Sequence, residues 1–306
     1  LSAVVLALCA LTTRSELRHW QDGVSVFAQA VRVTKNNFVA MTNLGNNLAR
    51  VGQPTRAIEV YRQSLEIRPE NATTHYNLAI ALAETGQTQA AERHYREALR
   101  HQPNHAGAHH NLANLLAEQR RYSEALEHYA VSLRLQPKNL EARFNYGMTL
   151  NDSGQRTNAI GQFETLVQQA PVFPQARLQL VTLYGLEGNL DAAIKHNDAL
   201  LEQEPESVHG QFNAGSLASL RGNWPAALLH WETAARLKPD FLPALYRLGW
   251  TLATHPDPRI RNPARALTIA EQALQIAGQG NADFLDLLAA ANAATDCSTW
   301  TLFGEA

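Results

Sequence analysis

The feature that most constrains this chain is a proline that returns at a constant interval of 34 residues. The interval separates Pro69, Pro103, Pro137, Pro171, Pro205 and Pro239. A glycine returns at the same interval at Gly52, Gly86, Gly154, Gly188 and Gly222, with Arg120 in the single gap. An alanine returns without a gap at Ala57, Ala91, Ala125, Ala159, Ala193 and Ala227. A fixed period of this size is the signature of repeats that stack only on their neighbours, so the 306 residues are predicted to form one array.

Each repeated position has a role in a pair of antiparallel helices. A glycine such as Gly52 permits the left-handed backbone that closes a first helix, here predicted over residues 38–51. The small Ala57 lets the second helix approach closely, and the large Tyr61 fills the space beside it. The Tyr61 position carries Tyr95, Tyr129, Phe163, Asn197 and Trp231 in the later repeats. Pro69 then ends the second helix, since proline cannot continue the hydrogen-bond ladder.

The period divides the chain into a regular array and two atypical ends. The predicted parts are an apolar segment with a partial repeat (1–37), six repeats (38–241), an irregular seventh repeat (242–278) and a capping helix with a tail (279–306). The partial repeat follows from Phe27, which lies 34 residues before Tyr61. Aligning Ala227 with Ala266 gives an offset of 39 residues, which places five extra residues in the loop Thr254–Pro263. Atypical end repeats are expected of arrays of this kind.

The repeated motif, NLG or NLA, then a glycine, then an EAxxxY-like second helix that ends in proline, resembles the tetratricopeptide repeat over residues 38–278. This resemblance implies an all-α fold, a right-handed superhelical solenoid of tetratricopeptide helical hairpins. It also implies a scaffold or interaction module that binds a protein or an extended peptide on its concave face. The chain itself is therefore predicted not to be an enzyme.

A second resemblance concerns the two ends. Arg14, Trp20, Asp22 and Phe27, after an apolar segment, resemble the junction that follows the last membrane helix in repeat-bearing protein O-mannosyltransferases and their bacterial relatives. Residues 248–274 also resemble the closing repeats of those bacterial proteins. The alternative function is therefore an accessory domain of a membrane glycosyltransferase whose catalytic portion lies outside this chain. No catalytic residue can be assigned here on that basis.

The segment Leu1–Leu11 is almost wholly apolar and precedes Arg14 and Arg18. It is about half as long as the roughly 20 residues that cross a bilayer, and no charged region precedes it as in a signal peptide. Three readings stay open: the trailing half of a transmembrane helix, a buried helix, and the remnant of a processed signal. The first would attach the chain to a membrane before Thr12, with the array on the periplasmic or extracytoplasmic side, and a cytoplasmic location is the alternative.

Composition excludes several classes of function. A net charge of −2 gives no broad basic face for nucleic acid. Cys9 and Cys297 lie at opposite ends without a CxxC pair, which argues against a disulfide framework or a zinc site. Histidines recur once per repeat along the second helices or cluster near residue 109, without an HExxH motif, so neither metal nor cofactor is predicted. Carboxylates such as Glu92 and Glu97 are predicted to lie on solvated faces.

The candidate binding residues lie on the first helices, which line the concave surface of such arrays. One position carries the amide row, Asn43, Asn77, Asn111, Asn145 and Asn213, with Gln179 and Arg247 in the remaining repeats. An amide both donates and accepts hydrogen bonds, which suits a peptide backbone at about 0.5–1.5 kcal/mol per bond. The row matches the asparagines with which O-GlcNAc transferases hold a substrate peptide. The preceding position adds the ring side chains Tyr76, His110, Phe144, Phe212 and Tyr246. The competing interpretation is that these amides bond only between neighbouring helices.

Overall fold

The computed structural model describes the backbone of residues 22–303 and the side chains of residues 22–295. Within that part of the chain there are sixteen helices and no strand. The helices are α1 (Gly23–Val33), α2 (Phe38–Arg50), α3 (Pro54–Ile67), α4 (Ala72–Glu84), α5 (Thr88–His101), α6 (Ala106–Glu118), α7 (Tyr122–Leu135), α8 (Leu140–Asp152), α9 (Arg156–Gln169), α10 (Pro174–Leu186), α11 (Leu190–Gln203), α12 (Val208–Leu220), α13 (Trp224–Leu237), α14 (Leu242–Thr254), α15 (Pro263–Ala277) and α16 (Ala282–Phe303). The predicted all-α fold of consecutive helical hairpins is confirmed.

The turn inside each hairpin closes in the way that the recurring glycine predicts. Gly52 adopts a φ of +75°, and its N–H donates to the carbonyl of Ala49 at 3.0 Å. Arg120 stands where the other repeats have glycine, and it adopts the same left-handed conformation with a φ of +60°. Its N–H donates to the carbonyl of Ala117 at 2.9 Å. The turn therefore forms without glycine, at a cost of about 1–2 kcal/mol in backbone conformation.

The first helices of unit 1 begin at side-chain caps that the sequence interpretation did not include. Asn71 accepts a hydrogen bond through Oδ1 from the N–H of Thr74 at 3.0 Å, and Asn37 and Asn139 cap their helices in the same way. In the third repeat the Nδ1 atom of His105 accepts from the N–H of Ala108 at 3.1 Å. Each cap lies two residues after the repeated proline or at the equivalent position. Together with the proline, the cap fixes where one helix ends and the next begins.

The chain contains two compact units, and the boundary between them falls within α9. Unit 1 ends at Ala159. Its hairpins α2–α3, α4–α5 and α6–α7 pack in sequence, and first helices also contact the first helix of the next repeat, as α2 does with α4 and α6 with α8. Ala57, Ala91 and Ala125 are fully buried between the paired helices, beside the buried rings of Tyr61 and Tyr129.

Unit 2 begins at Ile160. It contains the hairpins α10–α11, α12–α13 and α14–α15, and α16 packs against both helices of the last hairpin. Ala227 and Ala266 are both fully buried. Trp231 fills the aromatic position beside Ala227, whereas the equivalent Asn197 is buried and donates through Nδ2 to the carbonyl of Gly210 at 3.1 Å. The interior of unit 2 thus follows the repeat except at Asn197.

Several predicted features lie outside the described residues. They are the apolar segment Leu1–Leu11 with Arg14, Arg18 and Trp20, and the side chain of Cys297. Among the helices described between residues 22 and 303, none combines the length and apolar character that a membrane crossing requires.

Candidate functional site

The amide row forms hydrogen bonds between first helices of successive repeats. In unit 1, the Nδ2 atom of Asn77 on α4 donates to Oδ1 of Asn46 on α2 at 2.7 Å. The hydroxyl of Tyr61 donates to the same Asn46 oxygen at 2.8 Å. One carbonyl oxygen therefore joins the second helix of a repeat, its first helix and the first helix of the following repeat. This arrangement fixes the side chain of Asn77 relative to the face that the first helices form.

The same arrangement recurs two repeats later. Asn145 donates through Nδ2 to Oδ1 of Asn114 at 3.2 Å, and Tyr129 donates to that oxygen at 2.6 Å. In the intervening repeat the Asn46 position is Ile80. There, Asn111 donates through Nδ2 to the hydroxyl of Tyr76 at 3.2 Å. The structure thus gives these amides the inter-repeat bonds that the competing interpretation expected.

These bonds use only one end of each amide. Among the described residues, the Oδ1 atoms of Asn77, Asn111 and Asn145 accept no hydrogen bond. All three side chains are half-buried rather than enclosed. An amide held by its nitrogen and unpaired at its oxygen is positioned to accept a hydrogen bond from another chain. The structural role and a binding role are therefore compatible at the same residues.

The end of the row in unit 1 opens into a pocket of about 340 Å³. Its lining includes Asn114, Tyr129, Asn145, Met148, Glu118 and Asp152. Burial raises the pKa of Tyr129, and the nearby carboxylates Glu118 and Glu141 raise it further, so the phenol stays protonated and able to donate. The pocket combines amide, carboxylate and thioether groups in one open surface, which suits contact with a polar chain.

A row of carboxylates runs beside the amides, and the sequence interpretation missed it. Glu84, Glu118 and Asp152 occupy one position at the 34-residue interval, at the ends of first helices, and all three are exposed. The signal was the interval itself, although the first repeat carries Arg50 at this position. Since exposed carboxylates at one repeated position add their fields along the face, this part of unit 1 attracts positive charge.

The ring side chains beside the amide row differ in accessibility. Tyr76 is half-buried and packs on His105, with ring centroids 4.4 Å apart. Phe144 is also half-buried. His110 is only 6% exposed, packs against Tyr129, and accepts a hydrogen bond at Nε2 from Nδ2 of Asn145 at 3.3 Å. Tyr76 and Phe144 can therefore present ring surface to a ligand, whereas His110 acts mainly by supporting Asn145.

In unit 2 the candidate residues form no comparable chain of bonds. Asn213 and Phe212 are half-buried on α12, and the Phe212 ring meets Phe241 edge to face at a centroid distance of 5.5 Å. A smaller pocket of about 180 Å³ includes Asn197 and His230 in its lining. It is lined from second helices as well as first helices, so it is not an extension of the amide row.

The histidines that cluster in the sequence near residue 109 diverge in the structure. His105 caps α6 and His110 packs on Tyr129. His109 pairs with His128 of the same hairpin, with 2.8 Å between their Nδ1 atoms, and its Nε2 atom lies 2.9 Å from the carbonyl of Pro103. Because a carbonyl only accepts, Nε2 of His109 carries the proton, so its Nδ1 accepts from His128. In this pair His128 is the donor and His109 the acceptor.

Part of the chain matches family models, and its fold is similar to that of solved structures. Models described as tetratricopeptide repeat match residues 36–104, 76–139 and 110–175. No curated protein matches the chain in sequence. Among solved structures, the chain is similar to YrrB, a TPR protein with an unusual peptide-binding site, at 25% identity and a TM-score of 0.56, over 62% of this chain and 98% of YrrB.

Two further structures share the fold. Pseudomonas aeruginosa PilF is similar at 23% identity and a TM-score of 0.56, over 68% of this chain and 94% of PilF. The C-terminal part of a TPR repeat-containing protein from Cytophaga hutchinsonii is similar at 14% identity and a TM-score of 0.69, over 80% of this chain and 98% of that one. These two likenesses show the fold of the chain.

The hairpins and their stacking define a helical repeat protein. Residues 36–175 match models described as tetratricopeptide repeat, and the hairpins of the chain have the fold of solved tetratricopeptide-repeat structures. Proteins with these repeats mediate interactions with other proteins. The resemblance of the chain ends to protein O-mannosyltransferases stays a prediction.

Proposed function

We propose that unit 1 binds an extended peptide segment of a partner protein along the face formed by its first helices. The observation that carries the proposal is the set of unpaired Oδ1 atoms of Asn77, Asn111 and Asn145, each held in place through its own Nδ2. Peptide N–H groups are the natural donors to such oxygens, and this contact does not depend on the sequence of the peptide.

Specificity would come from the groups beside the row. Glu118 and Asp152 line the same pocket as Asn145. They favour lysine or arginine side chains on the ligand and disfavour acidic ones, because like charges close together destabilise a complex. Tyr76 and Phe144 add ring surface next to the amides. The relative YrrB carries a peptide-binding site, which supports the class of ligand.

The test selects a linear peptide from a random displayed library on the parent chain and measures its dissociation constant by calorimetry. Replacing Asn77, Asn111 and Asn145 together by Ala removes three acceptors and is expected to weaken binding at least about tenfold, from the value of about 0.5–1.5 kcal/mol per bond. The control is Asn158→Ala, which removes an exposed amide outside the pocket.

A structural loss must be separated from a loss of contact, because these asparagines also bond between repeats. Glu118→Ala serves this purpose, since Glu118 is exposed and makes no hydrogen bond among the described residues. This variant is expected to have the same melting temperature as the parent but a lower affinity than the parent for a basic peptide. Affinities of the triple variant and of Glu118→Ala within twofold of the parent would reject the proposal, as would a library that yields no binder to the parent.

The alternative function is an accessory domain of a membrane glycosyltransferase, proposed from the sequence at both ends of the chain. It is tested by reading the coding sequence upstream of Leu1. A run of transmembrane helices there would support this alternative, and a start codon after a short leader would remove it.

A further inference from the structure

Three potential metal ligands converge inside the second repeat of unit 1. His75 on α4 and Glu97 and His101 on α5 each place one ligand atom within 4.8 Å of the other two. Glu97 and His101 are four residues apart, which puts both on the same side of α5. The His75 and His101 rings are nearly parallel, at 12°, with centroids 6.1 Å apart. The cluster lies outside the amide row and has no part in the proposed peptide site.

We propose that His75, Glu97 and His101 bind a divalent transition-metal ion of the class of Zn²⁺, Ni²⁺ or Cu²⁺. Imidazole nitrogens with a carboxylate oxygen are the donor set that these ions favour, whereas Mg²⁺ and Ca²⁺ favour oxygen alone. Three protein ligands leave at least one coordination position for water. The ion would connect the two helices of one hairpin.

A cationic side chain already occupies the mouth of the cluster. The guanidinium of Arg100 lies 2.8 Å from Oε2 of Glu97 and donates to Nε2 of His101 at 2.8 Å. Because arginine only donates hydrogen bonds, Nε2 of His101 is unprotonated and directs its lone pair at the positive group. Nε2 of His101 is also 3.8 Å from Oε2 of Glu97, close to the spacing of two ligands on one ion. Arg100 is 64% exposed at its side chain and can move aside.

His75 must exchange one hydrogen bond for the ion. Its Nε2 lies 2.8 Å from the carbonyl of Pro69, and its Nδ1 lies 2.9 Å from Nδ1 of His94. Both bonds hold the ring, which is only 7% exposed, in a fixed orientation between α4 and α5. Whichever nitrogen binds the ion, the other bond remains to orient the ring, as the second hydrogen bond of a metal-binding histidine commonly does.

The next repeat supplies a natural control for this inference. His109 and His128 repeat the His75–His94 pair with the same hydrogen bonds. The positions of Glu97 and His101 are occupied there by Val131 and Leu135. The paired histidines are therefore a structural feature of both repeats, whereas only the second repeat adds the two further ligands.

The experiment titrates the full chain with ZnCl₂ and with NiCl₂ at neutral pH, using calorimetry and thermal melting. The parent is expected to bind one ion and to melt at a higher temperature with it, since a ligand that binds only the folded state stabilises that state. His101→Ala and Glu97→Gln should each lower the affinity for the ion at least about tenfold and remove the melting shift. Loss of a residue that only orients a metal ligand commonly lowers the affinity about 10–100-fold, and loss of a ligand should cost at least as much. The matched control His128→Ala should bind like the parent.

A gain-of-site variant separates a loss of fold from a loss of ligands. Val131→Glu combined with Leu135→His is expected to add a second ion per chain, because it completes the cluster around His109. Equal binding by the parent and by His101→Ala would overturn the proposal, since the ion would then bind elsewhere. Absence of binding to the parent up to about 1 mM of either ion, a very weak affinity, would also overturn it. None of these outcomes depends on peptide binding.

Discussion

The two compact units use the same hairpin but present different first-helix faces. The position seven residues after the amide row carries Arg50 in the first repeat of unit 1 and then Glu84, Glu118 and Asp152. In unit 2 it carries Leu186 and Leu220, which are 63% and 64% exposed, and then Thr254. The positions that build the hairpin, the buried alanine and the closing proline, are occupied alike in both units. Packing fixes the hairpin, and the groups that decide what binds to it are free to differ.

The interior of unit 2 departs from that of unit 1 at Asn197, in the aromatic position of the second helix. Tyr61, Tyr129 and Trp231 fill the aromatic position, and the Trp231 side chain is 2% exposed. Asn197 occupies that position with 1% exposure, and its Oδ1 atom is buried without a hydrogen-bond partner. A large ring at this position stabilises the fold by removing much apolar surface from water. A buried amide contributes less, because one of its polar atoms has no hydrogen-bond partner.

The largest expected effect on stability comes from comparing Trp231 with Asn197, which occupy the aromatic position in two repeats of unit 2. Trp231→Ala should lower the free energy of unfolding by about 3–5 kcal/mol, because it removes a fully packed ring and leaves a cavity. Asn197→Ala should cost much less, since it removes one buried hydrogen bond and one unsatisfied oxygen together. Urea unfolding followed by circular dichroism measures both. A similar loss in the two variants would show that the aromatic position does not organise the hairpin.

The fold was predictable because its determinants are local and repeat. Gly52, Ala57 and Pro69 each act within one hairpin, so their interval identifies the helices directly. Even Arg120, which breaks the glycine series, keeps the turn because the backbone bonds around it are unchanged. The sequence alone therefore contained the hairpin, its turn and its buried contacts.

The site was predicted only as a row of residues. The partner of Asn77 is Asn46, which lies 31 residues earlier and comes close only because first helices of successive repeats touch. Glu92 was expected on a solvated face but is 8% exposed and accepts a bond from Arg121 at 2.7 Å, because the following repeat covers it. Contacts between repeats depend on how one hairpin lies on the next, which no single repeat of sequence specifies.

An intermediate effect on stability is expected at the alanine where the second helix of a hairpin lies closest to the first. Ala125 and Ala193 are the equivalent residues of the two units, and both are fully buried. Ala125→Trp should lower the free energy of unfolding by roughly 1–3 kcal/mol through overpacking against Tyr129. Ala193→Trp should cost less, because the smaller Asn197 stands at the neighbouring aromatic position. Thermal and urea unfolding of both variants measure this difference, and an Ala125→Trp melting curve like that of the parent would contradict the helix pairing.

The smallest expected effect is on the pH dependence of stability. It is tested by comparing the His109–His128 pair of unit 1 with the equivalent pair in unit 2. There, Gln211 replaces the first histidine, and its Oε1 lies 2.8 Å from Nδ1 of His230. The pKa of His128 is lowered to about 4, first by burial and then by the positive charges of His109 and Arg96, while the charge of Glu124 opposes this shift. Burial also lowers the pKa of His230.

The sign follows from the two states of His128. Its ring is neutral in the folded chain down to about pH 4, whereas in the unfolded chain it takes up a proton near its ordinary pKa of about 6.5. The stability that depends on the neutral ring is therefore complete above about pH 6.5 and is lost as the pH falls towards about 4.

His109→Gln keeps an acceptor for His128, as Gln211 does for His230, and removes one positive charge that opposes protonation of His128. The loss of unfolding free energy between about pH 7 and about pH 5 should then be smaller than in the parent, by less than about 1 kcal/mol. Urea unfolding across this range measures it, with the exposed His209→Gln as control, and equal pH slopes for the parent and His109→Gln would show that charge on His109 has no part in holding His128 neutral.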